Sequence, residues 1–232
     1  MFCNLTAGMG VTERRAREKE ALRAKILEAT SRLLVEKGFE SVSIRRIAEK
    51  IEYSPATIYL YFKDKAELID AICEELFAQM VEELGQVGEG ETDPVRKLRI
   101  GMRAYVDFGI SHPNHYMAVF GASMRPMDDP TRDLEDAHTL GMQAFEILRR
   151  VIRSCVSQGA IPECNIETAA HATWMCLHGI TTLMITTYGG TCPVYPDMTQ
   201  DDREHLVNAT LDLVIAGLRN CALSPMPDGF HK

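Results

Sequence analysis

Apolar residues recur along most of the chain three or four positions apart, which is the spacing of one face of a helix. Leu22, Ile26, Ala29 and Leu33 follow this spacing, and their run ends just before Gly38, a residue type that commonly follows a helix. Stretches that alternate between apolar and polar residues, as strands do, are absent over any useful length. The sequence therefore predicts an all-α protein.

Two short helices are predicted directly after this first long one. One begins after Ser43, a favoured N-cap residue, and presents isoleucines and an alanine on its inner face. The other covers residues 54–62, with Ser54 as its N-cap and Pro55 at its first helical position. A long helix followed by two short ones with a tight turn between them predicts a helix-turn-helix domain, whose second short helix lies in the major groove of DNA.

Longer helical patterns fill the rest of the chain. They start at residues 63, 93, 117 (after the segment "SHPNHY"), 131, 166 and 200, with a loop at 121–130 and a connector rich in Gly and Pro at 188–198. The organisation predicted from these patterns has four parts. They are a flexible arm (1–16), a three-helix helix-turn-helix DNA-binding domain (17–65), a C-terminal helical bundle (66–220) and a flexible tail (221–232).

Charge is distributed unevenly between these parts. The net charge of the chain is −8, yet residues 1–65 contain 13 Lys and Arg against 9 Asp and Glu, while the remainder contains 12 against 24. A basic N-terminal part joined to an acidic body indicates a polyanionic partner for the N-terminal part alone.

The second short helix and the residues after it combine hydroxyl groups, aromatic rings and lysines. Thr and Tyr hydroxyls and Lys ammonium groups at the end of a helix in the groove are donors to phosphate, and so are the backbone amides at a capped helix N-terminus. The two arginines at the start of the preceding helix can reach a phosphate or a guanine edge. Packing inside a small helical domain is the other explanation for the tyrosines. The predicted DNA-binding residues are Ser43, Arg45, Arg46, Ser54, Thr57, Tyr59, Tyr61, Lys63 and Lys65.

The segment "SPATIYLYFKDKAEL" (54–68), together with the helices before it, closely resembles the DNA-binding domain of the tetracycline-repressor (TetR) family of transcription regulators. The resemblance implies that Ile58 and Phe62 hold the domain together. Family members often have glycine in the turn where this chain has Glu52, and a left-handed backbone there costs a non-glycine residue about 1–2 kcal/mol. The positions that by this resemblance touch DNA are Ser43, Arg45, Thr57, Tyr59, Tyr61 and Lys65.

Two later segments, "HPNHYMAVF" (112–120) and "WMCLHG" (174–179), resemble the C-terminal ligand-binding and dimerisation domain of one TetR branch. That branch is named for a Trp-His-Gly motif, which here is Trp174, His178 and Gly179. Adaptable methionines and aromatic rings between helices suit varied hydrophobic ligands, although each of them is also an ordinary core residue type. The predicted ligand-binding residues are Met102, Tyr105, Phe120, Met142, Phe145, Trp174 and His178.

Taken together, the resemblance implies a cytoplasmic homodimer that binds double-stranded operator DNA as a repressor and is released by a small hydrophobic effector. Dimerisation is expected through the helices at 166–187 and 200–219. No enzymatic activity, cofactor or metal site is expected. No membrane span is expected either, because the most apolar stretch, residues 173–185, is too short to cross a bilayer.

Two other functions stay open at this point. A helical di-iron oxidoreductase needs two Glu-x-x-His motifs, and the chain offers one, at Glu135 and His138. A redox-sensing regulator would use Cys155, Cys164 or Cys176, although no basic cluster surrounds them in the sequence. The seven cysteines are odd in number and lack a Cys-x-x-Cys pair, which is typical of free thiols in a reducing compartment.

Overall fold

The computed structural model describes residues 6–38, 41–120, 134–188 and 198–220. Every regular element in these ranges is a helix, so the predicted all-α class is confirmed. In chain order the helices are α1 (Thr6–Lys37), α2 (Ile44–Ile51), α3 (Pro55–Ile58), α4 (Lys65–Gln86), α5 (Pro94–Ser111), α6 (Pro113–Phe120), α7 (Leu134–Ser157), α8 (Ile166–Thr186) and α9 (Gln200–Asn220).

The chain forms two compact units. Among the described residues, the first contains 6–38, 41–73 and 114–120, and the second contains 74–113, 134–188 and 198–220. By packing, the first unit therefore takes in two stretches that lie beyond residue 65, where the sequence analysis ended the DNA-binding domain. The functional boundary at residue 65 stays a prediction.

The first helix is longer than the sequence suggested. α1 begins at Thr6, so residues 6–16 are helical where a flexible arm was expected. Good helix formers dominate from Glu13 onward, and Arg14 and Glu18, one turn apart, form an ion pair at 3.3 Å. The start of the expected arm at residues 1–5, the loop at 121–130, most of the connector at 188–198 and the tail at 221–232 lie outside the described residues.

An apolar core holds α1, α2, α3 and the start of α4 together in the first unit. Ile26, Ile47, Ile58 and Leu68 are completely buried at its centre. Ser43 caps α2 by accepting a hydrogen bond from the backbone N–H of Arg46 at 3.3 Å. The predicted helix-turn-helix arrangement is therefore present, with the inner face of α2 supplied by its isoleucines and Ala48 as expected.

The turn between α2 and α3 contains a strained residue. Glu52 follows α2 with φ 61° and ψ 40°, which is the left-handed region, and its N–H faces the carbonyls of Ala48 and Glu49. In the described part of the chain it is the only residue other than glycine with a positive φ. The left-handed backbone anticipated for this position is thus observed.

Two polar contacts attach α6 to α1 within the first unit. Ser31 Oγ and His115 Nε2 lie 2.8 Å apart, and Asn114 Nδ2 donates to the carbonyl of Val35 at 2.8 Å. The sequence pattern was expected to become helical again only after Tyr116. The helix begins at Pro113 instead, because proline suits the first position of a helix.

The second unit has α5 at its centre, packed against α7, α8 and α9. Its most deeply buried side chains include Leu98, Met102 and Val106 of α5, with Ile152 of α7 and Leu211 of α9. Two arginines of α5 also reach α9. Arg99 pairs with Asp212 at 3.1 Å, and Arg103 pairs with Glu204 as well as with Asp107 of its own helix.

Candidate DNA-binding and ligand sites

The N-terminus of α3 is fixed by side-chain hydrogen bonds. Ser54 Oγ accepts from the backbone N–H of Thr57 at 3.2 Å, and the two hydroxyls lie 2.9 Å apart. Pro55 occupies the first helical position. The cap predicted at Ser54 is therefore confirmed, and both hydroxyls already have a partner at the helix end.

Residues 54–63, which we call the recognition segment, contain a shorter helix than the one predicted at 54–62. α3 ends at Ile58, and the chain continues in tight turns in which Tyr61 N–H and Phe62 N–H both donate to the Ile58 carbonyl, at 2.9 and 3.0 Å. Ile58 is 0% exposed and Phe62 2% exposed. The turns arise because both side chains must enter the core, which confirms that these two residues hold the domain together.

The side chains predicted to bind DNA differ in their exposure to solvent. Tyr59 is 56% exposed and Lys63 is exposed, whereas Tyr61 is half-buried and packs on the apolar core. Lys65 is half-buried at the start of α4. The packing explanation therefore holds in part for Tyr61, while Tyr59 and Lys63 are available to a partner.

The two arginines of α2 are also unequal. Arg46 is tied to the protein, because its Nη1 donates to the carbonyl of Ser41 at 3.1 Å. Arg45 is exposed and forms no ion pair with any described residue. Of the two, Arg45 is the side chain that is free to reach a base.

Sequence reasoning missed one exposed residue of the recognition segment and two basic residues of α1 that contact this segment or the turn before it. Leu60 is 77% exposed in the middle of the recognition segment. Lys25 Nζ lies 5.2 Å from the centre of the Tyr53 ring and donates to the Ile51 carbonyl at 3.3 Å, and the guanidinium of Arg23 lies 5.4 Å from the centre of the Phe62 ring. The two basic residues are far from their partners in sequence, so no local sequence pattern predicts these contacts.

In the second unit, five rings from α5, α7 and α8 form what we call the ring cluster. Trp174 Nε1 donates to the hydroxyl of Tyr105 at 3.3 Å, and the Trp174 ring meets the Phe145 ring edge-on at 6.5 Å between centroids. His171 contacts Phe145 at 4.6 Å, and His178 contacts Trp174 at 5.7 Å. The structure thus brings together four of the predicted ligand-binding residues and adds His171.

The other predicted ligand-binding residues lie apart from these rings. Met102 is 1% exposed in the core of the second unit, and Met142 is 46% exposed on α7. Phe120 belongs to the first unit, where its ring packs on Tyr116 at 4.8 Å. Their assignment to a ligand site stays a prediction.

Polar groups border the ring cluster. Burial lowers the pKa of His178, so this imidazole is neutral at pH 7. The guanidinium of Arg149 lies 5.4 Å from the centre of the Phe145 ring and pairs with Glu146 and Glu167 at 2.6 and 2.7 Å. A half-buried group of rings with a neutral imidazole and a phenol hydroxyl suits a largely apolar molecule with a few polar atoms.

Two of the three candidate thiols, and the metal-binding side chains that the structure describes, provide little support for the alternative functions, whereas Cys176 is an exposed free thiol. Burial raises the pKa of Cys155 to about 11, and burial also raises the pKa of Cys164, so both stay protonated and unreactive at neutral pH. No three metal-ligating side chains meet within the described ranges. The side chains of Glu135 and His138 fall outside the described residues.

No helix in the described part of the chain has the length and apolar character needed to cross a membrane.

Two known sequence families match the chain. The one described as bacterial regulatory proteins, tetR family, matches residues 26–72. The one described as tetracyclin repressor-like, C-terminal domain, matches residues 98–214, which is half of the chain and includes the Trp174, His178 and Gly179 motif.

The individual relatives are similar to this chain at low sequence identity or over only part of their length. The HTH-type transcriptional regulator HbdR of Aromatoleum sp. (strain CIB) is 24% identical over 166 residues, which are 68% of this chain and 71% of the relative. The chain spans 34%, 71% and 37% of the lengths of the first three curated relatives that it matches.

Solved structures share the fold over most of the chain. FadR from Bacillus subtilis in complex with stearoyl-CoA has a TM-score of 0.65 at 17% identity, covering 84% of this chain and 98% of that one. RolR in complex with resorcinol has a TM-score of 0.58 at 21% identity, covering 92% and 98%.

Proposed function

Because the chain belongs to the TetR family of bacterial transcription regulators, we propose that it is a repressor that leaves a palindromic operator when a small hydrophobic molecule binds its second unit. The resemblance inferred from the sequence is confirmed by the two family matches. The observation that carries the proposal is the construction of the recognition segment. Exposed Tyr59 and Lys63 stand on a turn that buried Ile58 and Phe62 hold in place.

The exposed groups of the first unit suit double-stranded DNA. Hydroxyl and ammonium groups at Tyr59 and Lys63 are donors to phosphate, and such contacts fix the position of the protein on the duplex. Arg45, which is exposed on the preceding helix, has the fork of donors that binds the edge of guanine in the major groove. The proposed arrangement separates positioning contacts from a base contact.

Exposed apolar side chains on α8 and α9 support a homodimer. Met175 and Leu183 of α8 are 66% and 49% exposed, and Leu213 of α9 is 72% exposed. At Gly179 and Gly217 an added Cβ would meet no described atom within 4 Å, so these helices permit a close approach of another surface. Light scattering of the purified chain is expected to give a dimer, and Leu213→Glu is expected to give a monomer.

The ring cluster supports the choice of effector class. Its rings are half-buried rather than completely buried, apart from Tyr105, so they are not fully used by the packing of the second unit. The shared fold accommodates ligands as different as stearoyl-CoA in FadR and resorcinol in RolR. A hydrophobic molecule that packs on Phe145 and Trp174 and hydrogen bonds to His178 is the effector that we propose.

One experiment tests the whole proposal. Duplexes that bind the full chain are selected from a random-sequence pool, and their affinity is measured by fluorescence anisotropy with and without a panel of phenols and acyl-CoA thioesters. Trp174 is the only tryptophan, so its emission reports binding near the ring cluster independently of DNA. An effector is expected to change that emission and to weaken DNA binding about 5- to 150-fold.

Phe145→Ala provides the matched variant. It removes a ring contact from the effector and is expected to reduce the response while leaving DNA binding without effector near that of the parent. If compounds change the Trp174 emission but none weakens DNA binding, the second unit serves dimerisation alone and effector release is wrong. If the random pool yields no preferred sequence, the repressor proposal itself is wrong.

A further inference from the structure

Leu60 is the most exposed large apolar side chain in the described part of the chain. Its 77% exposed surface exceeds that of Leu213, which we have placed at a dimer contact. The other exposed large side chains with apolar surface in this stretch of sequence, Tyr59 and Tyr53, are 56% and 44% exposed, but each carries a hydroxyl. Leu60 is therefore the one purely aliphatic large side chain presented by the recognition segment and the turn before it.

The backbone around Leu60 holds this exposed position in place. Its N–H donates to the Thr57 carbonyl at 3.2 Å, and the next two N–H groups both donate to the carbonyl of Ile58. Ile58 and Phe62, two positions before and after, point into the core and are 0% and 2% exposed. The leucine is thus held outward by buried residues on both sides, and it cannot turn inward unless Ile58 or Phe62 leaves the core.

The groups around Leu60 are those of a DNA-binding surface rather than of an apolar protein interface. Within the recognition segment it lies between the exposed side chains of Tyr59 and Lys63, and the whole N-terminal part of the chain carries an excess of basic residues. A single apolar side chain among donors to phosphate does not form a continuous apolar patch. It does match one feature of the major groove, because thymine alone presents a methyl group there.

We propose that Leu60 is a specificity-determining residue that packs against the C5 methyl group of a thymine in each half of the operator. This inference rests on the proposed function and adds a second recognised nucleotide base to it. Arg45 would recognise guanine through hydrogen bonds, whereas Leu60 recognises thymine through apolar contact. Cytosine at the same position carries a hydrogen in place of the C5 methyl group, so the apolar contact with the leucine would be lost.

Replacing thymine by uracil isolates this contact, since uracil differs only by the missing methyl group. Each thymine of the duplex selected above is replaced in turn, and affinities are measured for the parent, Leu60→Ala and Leu60→Met. At one position of each half-site, uracil is expected to weaken binding of the parent about fourfold, the equivalent of one buried methyl group. Leu60→Ala is expected to bind the thymine and uracil duplexes equally, and Leu60→Met to keep part of the difference.

Tyr59→Phe is the matched control, because it changes the adjacent exposed side chain and keeps Leu60. It is expected to weaken binding to all duplexes while retaining the parent's preference for thymine over uracil. Thermal melting of each variant is expected to match the parent, since no buried contact is removed. If every replacement by uracil affects the parent and Leu60→Ala equally, the contact does not exist. If the parent selects no sequence from the random pool, both this inference and the proposed function fail.

Discussion

In the recognition segment, the side chains proposed to bind DNA are exposed, and a frame of two buried residues, Ile58 and Phe62, holds them in place. In the ring cluster, the side chains proposed to bind an effector also pack against one another. Tyr59 and Leu60 are mostly exposed between Ile58 and Phe62, which are not. Trp174 and Phe145, in contrast, contact each other edge-on and are both half-buried. In the first unit the proposed contact residues and the buried residues are therefore different side chains, whereas in the second unit the proposed contact residues are half-buried and also contact one another.

The largest effect is expected when a residue of the buried frame is removed. Phe62→Ala is expected to lower the free energy of unfolding by about 3–5 kcal/mol, because it takes a whole ring out of a packed core and leaves a cavity. DNA binding should fall with it, and chemical denaturation of the purified variant measures the loss. Leu60→Ala, two residues away, is the control and is expected to change stability by less than about 0.5 kcal/mol. Equal losses in both variants would contradict the separation of frame and contact residues.

A smaller effect is expected when a contact is removed and the frame stays. Arg45→Ala is expected to cost about 1–3 kcal/mol of operator binding and to relax preference for one base, since a guanine contact is lost. Lys63→Ala should instead weaken binding to all sequences alike and lower the slope of log affinity against log salt by about one. Anisotropy titrations at several salt concentrations distinguish the two. An Arg45→Ala variant that loses affinity equally for all sequences would show that this arginine binds phosphate.

The turn that joins the two short helices offers a gain rather than a loss. Glu52→Gly is expected to raise the free energy of unfolding by about 1 kcal/mol, because glycine tolerates the left-handed backbone that glutamate adopts under strain. Gly38→Ala is the reverse control in the same unit. Gly38 has φ 74°, and an added Cβ there would meet no described atom within 4 Å. The stability that Gly38→Ala loses therefore reports backbone strain and no steric clash. A destabilised Glu52→Gly variant would mean that the glutamate side chain has a role of its own.

The smallest effect concerns the second unit. Burial lowers the pKa of His178, so the unfolded chain binds the proton more readily than the folded one. The contribution of neutral His178 to the free energy of unfolding is therefore fully present above the ordinary histidine pKa of about 6.5, and it is lost as the pH drops below that value. His178→Gln should flatten this fall below about pH 6.5, as measured by thermal melting. A steeper fall in the variant would contradict the assigned direction.

The two regions were also unequal in what the sequence revealed. The resemblance to the TetR family correctly implied that Ile58 and Phe62 hold the domain together, and the local signals Ser54 and Pro55 predicted the cap correctly. They overestimated the length of α3, because the chain turns after Ile58 to bury the Phe62 ring. In the ring cluster, Tyr105 and Trp174 are 69 residues apart, and only packing decides that their polar atoms meet. The same limit explains why His171 and Arg149 were overlooked.

The length of α1 has a consequence for how firmly its two halves are held. The core of the first unit begins to contact this helix at Leu22, and residues 13–21 are exposed on every side. Short helices without tertiary packing are marginal in water, so this half depends on its own backbone hydrogen bonds and on pairs such as Arg14 with Glu18. Its amides are therefore expected to exchange with solvent after local opening, whereas those of residues 26–34, which pack in the core, are expected to exchange only when the core opens. Local opening of this one continuous helix is thus expected to require less free energy in its N-terminal half than in the half that packs on the core.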